Sequence, residues 1–251
     1  MGRLTDKIAV ITGGAGGIGK VTAETFLREG AKVVLVDLSQ EALDKTKADL
    51  DAHGEVIVVQ ADVSKETDVQ NYVNQAVERF GKIDIFFNNA GIEGKVAPLV
   101  DQKPEDFDKV ISVNVRGIFL GLKYVLGVMT KQGSGSVINT SSVAGLSGSP
   151  NVAPYITSKH AVVGLTKAAA VESAGSNVRV NSIHPSPVNT RMMRSLEAGL
   201  HTTEEALAKS IPLQRYAEAK DIANLVLFLA SDESSFITGV QYRVDGGMGA
   251  L

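Results

Sequence analysis

Short runs of apolar, often β-branched residues alternate along the chain with longer segments of helical period. The runs at 7–12, 32–37, 55–62, 83–91, 135–142 and 179–185 are apolar through most of their length, which is typical of parallel strands covered on both faces. The pattern predicts helices near 18–29, 39–52, 65–80, 104–131, 153–173 and 217–230, and a last strand at 242–247. This alternation predicts one α/β domain with a doubly wound, mostly parallel seven-stranded sheet flanked by helices on both faces.

One region breaks the alternation. Between the sixth strand and the last helix lies a long segment, residues 186–213, with the sequence SPVNTRMMRSLEAGLHTTEEALAKSIPL. Insertions of this length in compact domains are usually lids or binding segments, so we expect a mobile flap here. Its charged stretch TTEEALAK is typical of the solvated face of a lid helix.

A glycine-rich turn follows the first strand and leads into the first helix, which is the context of a Rossmann-type dinucleotide site. Within TGGAGGIG, residues 12–19, two spacings are possible: Gly14, Gly16 and Gly19 fit G-x-G-x-x-G, whereas Gly13, Gly17 and Gly19 fit T-G-x-x-x-G-x-G. Glycines allow the backbone to approach a pyrophosphate, and the helix N-terminus offers free N–H groups to its phosphates. The turn therefore predicts a bound dinucleotide.

The second strand ends in Asp37, and this residue indicates which dinucleotide is bound. A carboxylate at this place accepts hydrogen bonds from the adenosine ribose and repels a 2′-phosphate. The next residue, Leu38, is not basic, and the glycine turn contains no lysine or arginine. NAD is therefore favoured over NADP. A plain turn aspartate is the alternative, since Ser39 can cap the second helix by itself.

Composition and charge exclude several classes of protein. The chain has no cysteine, which rules out disulfides, thiolate metal sites and thiol catalysis, and its net charge of −3 predicts no nucleic-acid partner. No apolar run reaches the roughly 18 residues of a membrane span, and the N-terminal segment does not resemble a signal peptide, so we expect no membrane partner and a cytoplasmic protein. The histidines show no metal-ligand spacing, so no metal is expected: His53, His160, His184 and His201.

A serine, a tyrosine and a lysine stand at a suggestive spacing in SSVAGLSGSPNVAPYITSK, residues 141–159. Tyr155 and Lys159 share one helical face, and Ser142 precedes the tyrosine by thirteen residues, with Ser141 as a competitor. Together with the glycine turn and NNAG at 88–91, these motifs make the chain closely similar to the classical short-chain dehydrogenase/reductase family, over essentially its whole length.

This resemblance implies a catalytic role for four residues. Tyr155 would be the general acid/base, and Lys159 would lower its pKa and bind the nicotinamide ribose. Ser142 would hold the substrate oxygen. Asn114 would anchor a water for proton relay, although a satisfied core asparagine is the simpler interpretation.

The resemblance also implies a division of the chain, with a cofactor half near 1–100 and a catalytic and substrate half near 101–251. Further cofactor contacts would come from residues that match the family's positions: Ile18, Leu38, Asp62, Val63, Asn89, Ala90, Gly91, Val188 and Thr190. After the sixth strand the family usually has Pro-Gly, whereas this chain has Ser186 and Pro187, so we expect a stiffer or differently aimed loop.

The expected substrate pocket is predominantly apolar. It would be lined by the tail of the fourth strand at Ile92 and Glu93, by the loop 143–153 and by the lid, with these side chains as its wall: Val143, Ala144, Leu146, Val152, Met192, Met193 and Leu196. This composition favours a secondary alcohol or its ketone with an apolar, possibly cyclic, body. The methionines could equally be core residues.

Two other functions remain open at this stage. One is a 3-oxoacyl-[acyl-carrier-protein] reductase, which the family resemblance allows but which Asp37 and the negative net charge disfavour. The other is a catalytically silent NAD-binding sensor, which would be expected to lack Tyr155 or Lys159. By resemblance, the helices at 104–131 and 153–173 would pair between subunits of a homotetramer, or of a dimer.

Overall fold

The computed structural model describes residues 2–250 and contains one seven-stranded sheet. The strands are β1 Ile8–Thr12, β2 Lys32–Asp37, β3 Val56–Gln60, β4 Ile85–Asn88, β5 Gly135–Thr140, β6 Val178–Pro185 and β7 Gln241–Val244. Their order is β3-β2-β1-β4-β5-β6-β7, and every neighbouring pair is parallel. The predicted fold class is confirmed, with a sheet that is parallel throughout.

The order of the strands determines where a ligand can bind. The chain moves outward from β1 to β3, returns to the other side of β1 and then continues outward to β7. The loops after β1 and β4 therefore diverge and leave a crevice beyond the carboxyl ends of these strands, which is the usual ligand site of an open α/β sheet. The glycine turn and NNAG both lie at this crevice.

Helices cover both faces of the sheet, as predicted. They are α1 Gly17–Arg28, α2 Gln40–Leu50, α3 Glu66–Phe80, α4 Pro104–Ile111, α5 Gly117–Gln132, α6 Ala153–Ser173, α7 Arg191–Leu200, α8 Glu204–Ala208 and α9 Ala219–Ala230. Side chains of α1, α2 and α9 form one core with one face of the sheet, and those of α3, α5 and α6 form a second core on the other face.

The predicted helix at 104–131 is interrupted. Between α4 and α5 the segment Ser112–Arg116 is a π-helix, and it carries the buried Asn114. Such insertions in helices often occur at functional sites because they redirect a side chain. The apolar periodicity of the sequence does not reveal the insertion.

Several strands end earlier than predicted. Residues 83–91 and 135–142 were expected to be extended, but the fourth and fifth strands end at Asn88 and Thr140. Beyond Asn88 the backbone leaves the sheet because the Thr12 hydroxyl accepts the N–H groups of Asn89 and Ala90, at 2.9 and 3.1 Å. The polar ends of these strands are therefore loops that face the crevice.

By length and composition, the continuous helical stretch Pro104–Gln132 would pass for a membrane span, with a mean hydropathy of 1.4 in its most apolar window. The stretch contains no uninterrupted apolar run of that length, but its scattered polar residues do not lower the mean hydropathy enough to exclude it by composition. The stretch packs in the core against the sheet, and core helices share this composition. It is weak evidence for a membrane.

The segment at 186–213 contains α7 and α8, and an ion pair from Arg194 to Glu204 connects them. Arg194 donates to Glu197 at 2.9 Å, to Glu204 at 2.7 Å and to the amide oxygen of Asn189 at 2.6 Å. The predicted lid helix in TTEEALAK is α8. Movement of the segment stays a prediction.

Candidate active site

The glycine turn forms a cradle that larger residues could not form. Gly13 has a φ of +63°, and a Cβ on Gly19 would overlap the carbonyl oxygen of Gly13. A Cβ on Gly14 would lie 2.9 Å from a methyl carbon of Leu35. Gly13 and Gly19 are sterically required, and both belong to the T-G-x-x-x-G-x-G spacing, whereas a shift of the Leu35 side chain would relieve the contact at Gly14. Gly16 is the N-cap residue before α1 and has no side chain that could cap the helix. The N–H groups of the first helical turn are therefore left free for a ligand in the crevice.

Asp37 lies against this cradle at the end of β2. Its carboxylate accepts hydrogen bonds from the N–H groups of Ala15, at 3.1 Å, and Leu38, at 2.8 Å. A ribose bound beside the turn would meet this carboxylate, whereas a 2′-phosphate would meet its negative charge. Backbone donors for a pyrophosphate and an acceptor for ribose hydroxyls together fit the adenosine half of NAD.

The predicted contacts at the ends of β3 and β4 lie on the same side of the crevice. The carboxylate of Asp62 accepts both the N–H, at 3.0 Å, and the hydroxyl of Ser64, at 2.6 Å, which fixes the turn that presents Val63. The amide nitrogen of Asn89 donates to the carbonyl oxygen of Thr12, and its oxygen accepts from the Thr140 hydroxyl. Asn89 thus joins the ends of β1, β4 and β5.

Asn114 holds the backbone that follows β4. Its oxygen accepts the N–H of Ile92 and its nitrogen donates to the Ile92 carbonyl, both at 2.8 Å, and the nitrogen also donates to the Ser158 hydroxyl at 3.0 Å. A Cβ on Gly91 would lie 3.2 Å from the Asn114 oxygen and 3.6 Å from Lys159 Nζ. Asn114 is a satisfied core residue beside the lysine, and its relay role stays a prediction.

The two candidate serines have different surroundings. The hydroxyl of Ser141 is buried and donates to the carbonyl oxygen of Lys159 at 2.9 Å, on the backbone of α6. The hydroxyl of Ser142 is partly exposed; it accepts the N–H of Ala144 at 3.2 Å and donates weakly to the Pro185 carbonyl at 3.4 Å. Only Ser142 is available to a ligand in the crevice, which supports the choice of Ser142.

Tyr155 and Lys159 lie one turn apart on α6, as expected. Lys159 Nζ is 5.5 Å from the centre of the Tyr155 ring and donates to the Thr140 carbonyl at 2.9 Å. Burial lowers the pKa of Lys159 to about 8.

The expected depression of the Tyr155 pKa does not occur in the protein alone. Burial raises the pKa of Tyr155 to about 12; a hydrogen bond with the Ser142 side chain lowers it, and the negative charge of Glu93 raises it further. The cost of burying a phenolate outweighs the nearby ammonium. This balance also reveals Glu93 as a charge close to the phenol, which sequence reasoning placed in the pocket without giving it an electrostatic role.

The loop after β6 reaches the glycine turn. The side chain of Thr190 would be 3.2 Å from a Cβ on Gly17, and the Pro187 carbonyl accepts the N–H of Ala217 at 3.0 Å. Ser186 is buried, and its backbone does not adopt a positive φ. Serine therefore occupies the usual glycine position without strain, and the contacts of Val188 and Thr190 with the nicotinamide end of a cofactor stay a prediction.

The residues predicted to line the substrate pocket fall into two groups with different surroundings. Val143, Ala144 and Leu146 follow Ser142 in or just after a turn that packs on α6. Met193 is buried and packs against Ala208 and Ile211 of the lid and against Tyr216, which follows it. Leu196 is partly buried at the edge of this cluster. The two lid side chains have a structural role, so their contact with substrate stays a prediction, as it does for Val152 and Met192.

One histidine lies at the site. His160 is exposed, but His184 is fully buried on β6, and its ring contacts the carbonyl oxygen of Ser142. The only signal in the sequence is a histidine just before the proline that ends a central strand. Among residues 2–250, no group of histidine and carboxylate side chains could hold a metal ion.

Comparison with known proteins agrees with this geometry. A family model described as "Enoyl-(Acyl carrier protein) reductase" matches residues 13–249. Levodione reductase of Leifsonia aquatica is 44% identical, covering 99% of this chain and 96% of the relative. A 3-oxoacyl-[acyl-carrier-protein] reductase of Thermotoga maritima is 41% identical, covering 98% and 99%. Cyclohexanol dehydrogenase of an Acinetobacter species is 37% identical, covering 97% and 95%.

Solved structures show the same architecture. The crystal structure of levodione reductase superposes with a TM-score of 0.96, at 44% identity and 99% coverage of both chains. The crystal structure of NAD⁺-bound xylitol dehydrogenase superposes with a TM-score of 0.93, at 38% identity, covering 97% of this chain and 99% of the other. With the glycine cradle, Asp37 and the Ser142–Tyr155–Lys159 arrangement in place, these similarities show that the chain belongs to the classical short-chain dehydrogenase/reductase family of oxidoreductases.

Proposed function

We propose that the protein is an NAD-dependent oxidoreductase that interconverts a secondary alcohol and its ketone. One observation carries this conclusion. A phenol, a buried ammonium and a serine hydroxyl lie together at the carboxyl end of the sheet, in the same crevice as the glycine cradle and the Asp37 carboxylate. Proton-transfer groups are therefore held beside the place where a nicotinamide would lie.

The residues of the crevice fit NAD. The open N-terminus of α1 would hold the pyrophosphate, Asp37 the adenosine ribose, and Val188 and Thr190 the carboxamide end. When bound, NAD takes the hydride from the alcohol carbon or returns it to the ketone. NAD binding in xylitol dehydrogenase, which has the same fold, supports this choice.

Tyr155 would exchange a proton with the substrate oxygen through its phenol. Because burial raises its pKa to about 12, the protein alone keeps the phenol neutral at physiological pH, which suits a general acid for ketone reduction. To act as a base, it needs positive charge beyond that of the Lys159 ammonium, which the oxidised nicotinamide would add. The Ser142 hydroxyl would hold the substrate oxygen against the phenol.

Lys159 and Asn114 would connect the site to solvent through a proton relay. The Lys159 ammonium donates one N–H to the Thr140 carbonyl, and its other N–H groups are available to a ribose hydroxyl or a water. Asn114 fixes Ile92, and thereby the backbone that carries Glu93 into the pocket. A water beside Gly91, between Asn114 and Lys159, would complete the proposed relay.

We propose a substrate with an apolar, cyclic body. The turn after Ser142 offers aliphatic side chains to the crevice, and cyclohexanol dehydrogenase is one of the relatives. The reductase of acyl carrier protein substrates in Thermotoga maritima is 41% identical, but levodione reductase, at 44%, and cyclohexanol dehydrogenase favour a free alcohol or ketone over a carrier-bound substrate. The net charge of −3 disfavours a docking surface for an acidic carrier protein.

We also propose a homotetramer in the cytoplasm. Large apolar side chains remain exposed on the helices that the family resemblance assigns to subunit contacts: Phe107 on α4, Phe119 on α5 and Val171 on α6. Exposed apolar side chains on adjoining helices are a common feature of subunit interfaces. Sedimentation equilibrium would test the assembly, and cell fractionation would test the location.

The decisive experiment follows NADH absorbance with wild type and Tyr155→Phe, using NAD or NADP and a panel of cyclic and acyclic secondary alcohols. We expect turnover by wild type with NAD and a loss of at least about a hundredfold in the variant, in the range of general acid–base catalysis. NAD affinity, measured by calorimetry, should change little.

Three outcomes would contradict parts of the proposal. Wild type that binds NAD but oxidises no alcohol would favour the silent sensor. A clear preference for NADP would contradict the role of Asp37. Turnover of acyl-carrier-protein substrates with much higher kcat/KM than any free ketone would favour the carrier-protein reductase.

A further inference from the structure

His184 is a buried titratable residue that the reaction as described does not use. It lies near the end of β6, directly before Pro185, with no solvent exposure. Its ring is held at both nitrogens: Nδ1 is 2.7 Å from the carbonyl oxygen of Ser142, and Nε2 is 2.9 Å from the hydroxyl of Ser182. Because both ring nitrogens have a hydrogen-bond partner, the ring is held in one orientation and does more than fill space.

The two contacts determine the tautomer. A carbonyl oxygen can only accept, so Nδ1 of His184 must carry the proton and donate to Ser142. Nε2 is then unprotonated and accepts from the Ser182 hydroxyl. Burial lowers the pKa of His184 to about 4; the hydrogen bond to Ser142 acts against this shift, and the positive charges of Lys159 and Arg243 add to it. The ring is therefore a neutral donor throughout the physiological range.

The contact fixes the residue that would hold the substrate oxygen. The Ser142 carbonyl accepts a second hydrogen bond, at 2.9 Å, from the N–H of Gly145, so both of its lone pairs are used. The preceding N–H, of Ser141, donates to the Ile183 carbonyl on β6 at 2.9 Å. The backbone before Ser142 is thus held by a main-chain bond to β6, and the His184 side chain supplies a second bond from β6, to the Ser142 carbonyl.

We propose that His184 is a positioning residue for Ser142: its Nδ1–H holds the Ser142 backbone so that the serine hydroxyl points toward the substrate oxygen. This inference rests on the proposed function, because it assigns a purpose to the orientation of Ser142. A misplacement of about 1 Å at a catalytic group can cost about a hundredfold in rate, so support of this kind is worth a measurable factor.

The test compares two substitutions at this one position. His184→Asn keeps an amide nitrogen that can replace Nδ1 as the donor to Ser142, whereas His184→Leu fills space without donating. We expect His184→Leu to lower kcat by about tenfold or more, with KM for the alcohol and Kd for NAD nearly unchanged. His184→Asn should recover most of that loss.

A double-mutant cycle with Ser142→Ala separates positioning from general stability. If His184 acts through Ser142, His184→Leu should have almost no further effect on kcat once the serine hydroxyl is absent. An equal loss in both backgrounds would overturn the inference. So would a His184→Leu enzyme as fast as wild type, or a His184→Asn enzyme as slow as the leucine variant.

A measurement without turnover tests the contact itself. Long-range ¹H–¹⁵N NMR of histidine-labelled protein, which has four histidines to assign, should show His184 as the neutral Nδ1–H tautomer between about pH 6 and 8. The Nε2–H tautomer would overturn the inference whatever the activity. Failure of the proposed function is distinguishable, because it would appear as absence of alcohol oxidation by wild type itself.

Discussion

Lys159 provides the sharpest quantitative prediction, because the structure buries its charge without a counter-ion. The side chain is 4% exposed, and its ammonium has the Thr140 carbonyl as its hydrogen-bond acceptor. Within residues 2–250, no carboxylate offsets the cost of burying this charge. Replacing this lysine by methionine should abolish activity and yet stabilise the fold.

The magnitude follows from the pKa. Burial lowers the pKa of Lys159 from the usual 10.5 to about 8, and each pH unit corresponds to about 1.36 kcal/mol, so the buried charge costs about 3 kcal/mol at neutral pH. Lys159→Met removes this cost and fills similar space. It also removes the donor to the Thr140 carbonyl, which costs about 1 kcal/mol. We therefore expect a net gain in the free energy of unfolding of about 2 kcal/mol.

The pH dependence of the free energy of unfolding gives a second, independent test of this reasoning. Below pH 8 the lysine is protonated in both the folded and the unfolded chain, and the full cost is present. Between about 8 and 10.5 the unfolded chain binds more protons than the folded one, so wild-type stability rises with pH relative to the methionine variant. The advantage of Lys159→Met should shrink over this range.

Urea unfolding of wild type and variant at pH 7 and near pH 10 measures both effects, with Tyr155→Phe as a matched control. The control also lacks activity but removes no buried ammonium, so it should show no gain at pH 7. Because burial raises the pKa of Tyr155, its stability relative to wild type should rise slightly near pH 10, opposite to the change expected for the methionine variant. A methionine variant that is no more stable than wild type at pH 7, or whose advantage does not change with pH, would refute the reasoning. Confirmation would show that the site is maintained at a cost in stability.

Three further predictions concern the crevice. Burial and then the Glu93 charge raise the pKa of Tyr155, so Glu93→Gln should move the pH profile of alcohol oxidation to lower pH; an unchanged profile would argue against this charge effect. In Gly19→Ala, the new methyl group overlaps the Gly13 carbonyl, so calorimetry should show NAD affinity lowered by about tenfold or more, and unaltered binding would contradict the cradle. Asp37→Ala should raise the NADP-to-NAD ratio of kcat/KM by about tenfold or more, and a constant ratio would remove Asp37 from cofactor choice.

The sequence determined the fold class because local patterns specify it. Strands that are apolar on both faces alternate with amphipathic helices, and a sheet of parallel strands is the arrangement that covers them. The functional motifs could also be recognised from short stretches of sequence: the glycine turn after the first strand, Asp37 at the end of the second, and Tyr155 one helical turn before Lys159. Their coexistence in one crevice followed once the strand order was known.

What the sequence left open depended on contacts between distant segments. The π-helix at Asn114, the burial that raises the Tyr155 pKa, and the packing of Met193 inside the lid arise from neighbours far away in the chain. The contact between His184 and Ser142 joins residues 42 positions apart. Hydrogen bonds and desolvation depend on distances of a few ångströms in three dimensions, and spacing along a chain specifies such distances only within one turn or strand. The sequence by itself determined which chemical groups the crevice contains, and the tertiary structure decided their charge states and their support.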